Sequence, residues 1–196
     1  ERGADRQLDA SVLQRVPVAA RALHFGSYTM VVEPVAATQR ALIQQESERE
    51  GGRALISYDP NVRLTVEPSL PRWRDTLAWM LPHTHLLKVS EEDIGLLFPG
   101  RALDDLAASW LAQGPRLVVI TRGGEGSLAF GAGASTHAPP VPVNVVDTVG
   151  AGDTFQAVDD EQKARSIVEF RQLEARKRDL VPSSGKLSLE QLFSRI

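Results

Sequence analysis

Four short apolar runs alternate with segments of helical period between residues 23 and 120, and this alternation restricts the fold more than any other feature. Arg21-Ala22-Leu23-His24-Phe25 is ended by Gly26-Ser27 and reads as a buried strand and a turn. Val35, Leu42 and Ile43 recur at helical spacing up to the Gly51-Gly52 stop. Ala54-Leu55-Ile56-Ser57-Tyr58 is a second strand, closed by Asp59-Pro60-Asn61. Trp73, Leu77, Met80 and Leu81 share a helical face before Pro82, and Leu86-Leu87-Lys88-Val89 is a third strand. Ser90 offers an N-cap, with Asp93 three residues on completing something like a capping box. Leu103, Leu106, Ala107, Trp110 and Leu111 form an amphipathic stripe stopped by Gly114-Pro115. Leu117-Val118-Val119-Ile120 is the best buried strand, and Ser127 to Phe130 reads as a hairpin arm. Strand and helix in alternation predict an α/β, Rossmann-like fold, a mostly parallel sheet with helices on both faces. In such sheets ligands sit beyond the carboxyl ends of the strands. Asp59, Lys88, Thr121 and Gly150 all follow strand candidates.

Composition narrows the function classes. Hydrophobic residues make up 42% and charged residues 24% of the 196, values of a folded chain. With no cysteine, thiolate catalysis and cysteine-ligated metal are excluded, and a reducing, cytoplasmic setting is expected. A net charge of −3 gives no general basic face for nucleic acid. No apolar run approaches the ~20 residues of a membrane span, and Glu1-Arg2-Gly3-Ala4-Asp5 is unlike a signal peptide.

The segment that most clearly carries chemistry is Asp147-Thr148-Val149-Gly150-Ala151-Gly152-Asp153. Its glycines let backbone amides approach a ligand without a Cβ in the way. If a helix begins near Ala151, those amides converge on one point at the positive end of its dipole, an anion hole suited to a phosphoryl group. Asp153 would lie beside that hole, where a carboxylate can take the proton of an attacking hydroxyl. A glycine turn with Asp153 as an ordinary first-turn charge is the bland alternative. The histidines His24, His83, His85 and His137 do not form a spacing that argues for metal, and Trp73, Trp79 and Trp110 read as packing.

This segment resembles the C-terminal signature of the ribokinase-like, PfkB-type carbohydrate kinases. Asp59-Pro60-Asn61-Val62-Arg63, Leu87-Lys88-Val89-Ser90-Glu91-Glu92 and Thr121-Arg122-Gly123-Gly124-Glu125-Gly126 resemble other elements of that family, in its order. Gly26-Ser27-Tyr28, Glu33-Pro34 and Arg2-Gly3-Ala4-Asp5 resemble its fructokinase branch. The resemblance implies ATP-dependent phosphorylation of a sugar hydroxyl, with ATP and Mg2+ as cofactor and metal, and it leaves a homodimer open. It implies Asp153 as general base, with Gly150, Ala151 and Gly152 as the anion hole. It places Thr121, Gly123 and Gly126 at the nucleotide, and Asn61 and Arg63 at substrate or phosphate. Lys88 either adds charge at the nucleotide or is a snorkelling strand-end lysine. Glu91, Glu92 and Asp93 would support the water shell of magnesium, or merely charge a helix N-terminus.

The expected domains are a kinase domain over 1–157, without the family's N-terminal segments and sugar lid, and a helical tail over 158–196. Residues 151–196 also resemble a segment of bacterial translation initiation factor two, so a fusion and a divergent kinase terminus both stay open. A non-catalytic module with a basic helical tail is the alternative function, motivated by Arg176-Lys177-Arg178.

Overall fold

Strands buried along their whole length need cover on both faces, and such strands are usually parallel. The computed structural model, which describes Gly3 and residues 8–17, 20–49, 54–131 and 134–140, shows this pattern. β2 (Leu55–Asp59), β3 (Leu86–Ser90) and β4 (Leu117–Thr121) are buried at nearly every residue, while β1 (Ala22–Gly26) is half exposed. β1 pairs with β2, β2 with β3 and β3 with β4, all parallel. The register sets Gly26 beside Asp59 and Ser90 beside Thr121, so the carboxyl ends of the four strands share one edge.

The helices follow the sequence period. α1 (Val35–Glu48) buries Val35 and Ile43. α2 (Leu70–Met80) is capped by Ser69, carries Pro71 in its first turn where the missing N–H costs nothing, and buries Trp73, Leu77 and Met80. The fully buried Trp73 donates its indole N–H to the Glu67 carbonyl at 2.9 Å. α3 (Glu91–Leu97) and α4 (Leu103–Leu111) both lie between β3 and β4. Each crossover steps to the next strand in the same direction. Burying side chains such as Leu77 and Ile120 contributes about 1.5–3 kcal/mol each.

Residues 1–122 and 123–196 form two compact units. In the second, β5 (Ser127–Gly131) and β6 (Ala134–Ala138) pair as an antiparallel hairpin, as the hairpin expectation has it. The expected anion loop at Gly150–Asp153 and the tail over 158–196 lie outside the described residues. Among the described residues no helix is long and apolar enough to cross a membrane.

Candidate functional site

The shared carboxyl edge gathers most of the residues marked in the sequence. β1 ends at Gly26, where an added Cβ would stand 2.6 Å from the Asp59 carbonyl oxygen, so only glycine lets the two strand ends approach. Two non-glycine residues with positive φ follow the first two strands, Ser27 at 57° and Asn61 at 41°. Such conformations persist only where neighbours hold them. Here the Ser27 hydroxyl donates to the Asn61 carbonyl at 3.1 Å and joins the two turns.

The 59–63 turn is built from carboxylates. Asp59 Oδ1 accepts from the Asn61 amide at 3.2 Å, and Asp93 Oδ1 accepts from the Val62 amide at 3.2 Å. Arg63 follows, exposed, with Nη1 donating to the Val62 carbonyl at 3.0 Å. Asp59 Oδ2 takes a hydrogen bond from Lys88 Nζ at 2.6 Å, and both residues are buried. The picture of Lys88 as a strand-end lysine snorkelling to water is therefore corrected. Its ammonium stays inside because β3 is covered on both faces and a carboxylate waits on the neighbouring strand.

The acidic trio separates into three environments. Ser90 caps α3 by accepting from the Asp93 amide at 3.0 Å, the first half of the expected capping box. Asp93 itself is buried, and its Oδ1 reaches across to the 59–63 turn. Burial holds its carboxyl above the ordinary range. The Asp59 charge adds to that shift, while Ser90, the Val62 amide and Arg63 oppose it. Glu91 pairs with Arg122, whose Nε stands 3.3 Å from both carboxylate oxygens. Glu92 is exposed. Sequence reasoning gave Arg122 no role of its own; the pair links the ends of two adjacent strands, 31 residues apart.

Thr121 closes β4, and a 3-10 turn spans Gly123–Glu125. Gly123 has φ of 52° with open space around it, and the Gly126 amide donates to the Gly123 carbonyl at 3.1 Å. A backbone left bare this way suits the close approach of a ligand. Gly126 combines φ of 83° with a Cβ position 2.0 Å from the Ala138 carbonyl oxygen, so it fixes the base of the hairpin. The histidines serve the structure: His85 Nδ1 accepts from the Ile56 amide at 3.0 Å, and His83 packs its ring 4.7 Å from Trp79. Asp153, Gly150, Ala151 and Gly152 lie outside the described residues.

A model of the pfkB family of carbohydrate kinases matches residues 7–158. The chain belongs to this family. Among its relatives are the fructokinase of Rhizobium leguminosarum bv. trifolii, 38% identical over 136 residues, which cover 69% of this chain and 40% of the relative. Fructokinase-2 of Zea mays is 31% identical over 180 residues, covering 85% of this chain and 51% of the relative. The chain thus spans about half the length of the curated relatives it matches, or less. Several solved structures share the fold. The Vibrio cholerae fructokinase, solved with fructose, ADP and calcium, superposes with a TM-score of 0.63 at 26% identity over 73% of this chain and 46% of that one. An E. coli protein assigned as ribokinase II, in complex with ATP and Mg2+, gives a TM-score of 0.64 at 25% identity over 83% of this chain and 54% of that one. The ribokinase-like fold expected from the motifs is the fold observed, and membership of this family identifies a phosphotransferase ancestry.

Proposed function

We propose that this chain supplies the nucleotide and phosphoryl-transfer part of an ATP-dependent sugar kinase of the fructokinase type. The observation that carries the reading is the strand-end edge itself. It presents Arg63 on a turn fixed by two buried carboxylates, within the residues matched by the family. Relatives solved with ADP and fructose, or with ATP and Mg2+, support nucleotide and sugar as the ligands.

In this reading Asp153 accepts the proton of a primary sugar hydroxyl as its oxygen attacks the γ-phosphorus. The bond from that phosphorus to the ADP oxygen breaks, and the amides of Gly150, Ala151 and Gly152 hold the charge on the phosphoryl oxygens. Thr121, Gly123 and Gly126 shape the loop over the nucleotide. Arg63 offers a guanidinium fork to the phosphates, and Asn61 sets its height on the turn.

Among the described residues no group of three or more acidic or histidine side chains is placed to hold a metal ion, so magnesium would come with ATP and meet these carboxylates only through water. Asp93 is buried at the edge, Glu92 is exposed and Glu91 is tied to Arg122, a set of oxygen donors without a closed cage. Magnesium bound with ATP would supply charge neutralisation at the phosphates. The residues' own part is to orient its waters.

An ATP-using kinase of this kind fits a cytoplasmic setting. The resemblance of 151–196 to initiation factor two would add a partner-binding tail. Salt-sensitive co-sedimentation with ribosomes tests that tail, and no pelleting at low salt would remove it.

The deciding experiment for the kinase reading is Asp153→Ala. General-base catalysis is worth about 10²–10⁴-fold. In a kinase that also carries the rest of the family fold, the variant should lose phosphorylation of fructose by that order while keeping its affinity for ATP. An unchanged kcat would refute the role.

A further inference from the structure

A lysine inside a strand covered on both faces must have its counter-charge close by. The next step of the β2–β3 register, which pairs Ser57 with Leu86 and Tyr58 with Leu87, brings Asp59 beside Lys88. The ion pair at 2.6 Å occupies Asp59 Oδ2 and leaves Oδ1 to the Asn61 amide. One carboxylate thus faces a buried cation on one side and a strained turn on the other. Asn61 holds φ of 41°, and the turn is pinned at two further points, by Ser27 on the Asn61 carbonyl and by Asp93 on the Val62 amide. Arg63 is the next residue.

We propose that Lys88 is a positioning residue for phosphoryl transfer. By fixing the orientation of Asp59, it holds the 59–63 turn in the shape that presents Arg63 to the phosphates. The proposal rests on the phosphate role given to Arg63 above. The ammonium acts through Asp59 and meets no ligand itself, being only 5% exposed. Without it Asp59 would be a lone buried carboxylate. It would turn towards water, and that change releases the Asn61 amide.

The test uses the full 196-residue chain and the double variant Asp59→Asn, Lys88→Met. This variant buries no unpaired charge and keeps an acceptor at position 59. Amide hydrogen exchange is read residue by residue, and calorimetry gives the affinity for a non-hydrolysable ATP analogue with magnesium. Arg63→Gln serves as the reference for loss of the guanidinium alone. Positioning predicts that the Asn61 and Val62 amides exchange at least tenfold faster while Leu117 to Ile120 keep their protection. It also predicts that analogue affinity falls several-fold towards that of Arg63→Gln. Unchanged exchange at Asn61 and Val62 overturns the proposal. So does a uniform rise across all strands, or loss of the fold, because the pair would then serve the sheet as a whole. Selective loosening with unchanged analogue affinity overturns it too. If the wild-type chain takes no analogue, the kinase reading fails on its own account, and the exchange pattern still decides whether Lys88 governs the turn.

Discussion

Tyr58 is the polar residue least reconciled with its surroundings. It is fully buried, and its hydroxyl has no hydrogen-bond partner among the described residues. Burial, with the Asp59 and Asp93 charges behind it, pushes its ionisation far above the usual phenol range, so it is a neutral donor at any working pH. An orphaned buried donor costs about 1–3 kcal/mol. Tyr58→Phe should therefore raise the unfolding free energy by about 1 kcal/mol in urea titration, and a loss of stability would reveal a partner for the hydroxyl. His83 behaves in the opposite sense with pH. Partial burial lowers its proton affinity from the ordinary value near 6.5. The unfolded chain then binds the proton first as pH falls, so the contribution of His83 is complete above about pH 6.5 and is lost on acidification. His83→Asn should flatten the fall of Tm between about pH 7 and 5. A parallel fall in both proteins would remove His83 as a cause.

At the scale of elements, the motifs that look alike in sequence do different work. In Thr121-Arg122-Gly123-Gly124-Glu125-Gly126, Gly123 is conformational freedom facing open space, whereas Gly126 is a steric requirement of the β5–β6 hairpin. Gly126→Ala must move the Ala138–Pro140 backbone as well as accept φ of 83°, and should cost more than the roughly 1 kcal/mol of ordinary left-handed strain. Amide exchange across Ser127–Gly131 would report it, and wild-type protection there would show that the hairpin can give way. The elements themselves were legible because each carries its own period. A helix such as α4 shows its stripe, and parallel strands show unbroken apolar runs. The ion pairs at the strand ends were not. Lys88 and Asp59 lie 29 residues apart, and Arg122 and Glu91 lie 31 apart. Register alone brings them together, and register is not written in either segment. A hint did exist for Lys88: a lysine set within Leu86-Leu87-Lys88-Val89 cannot be buried without an acid on the next strand. Asp93 was marked by its capping position. Its reach to the Val62 amide depends on how α3 sits against the β2 turn.

The 196 residues span about half the length of these relatives or less, and the proposed roles of the described ones fall on one side of the reaction. The described edge carries the 59–63 turn, the α3 acids and Thr121, all of them on the nucleotide and phosphate side of the proposed reaction. Asn61 and Arg63 are the described residues expected at substrate or phosphate. About half the length of the relatives lies outside the matched stretch. Sugar specificity in a kinase comes from buried polar groups that a hydroxyl must satisfy, and removing most of them forfeits discrimination by orders of magnitude. Calorimetry on the purified chain should therefore show magnesium-dependent binding of an ATP analogue and, in the same cell, little heat from fructose. Tight fructose binding would mean that these residues alone complete the sugar site. Absence of analogue binding would mean that the strand-end edge, although built on the family's plan, does not form a nucleotide site from this part of the fold.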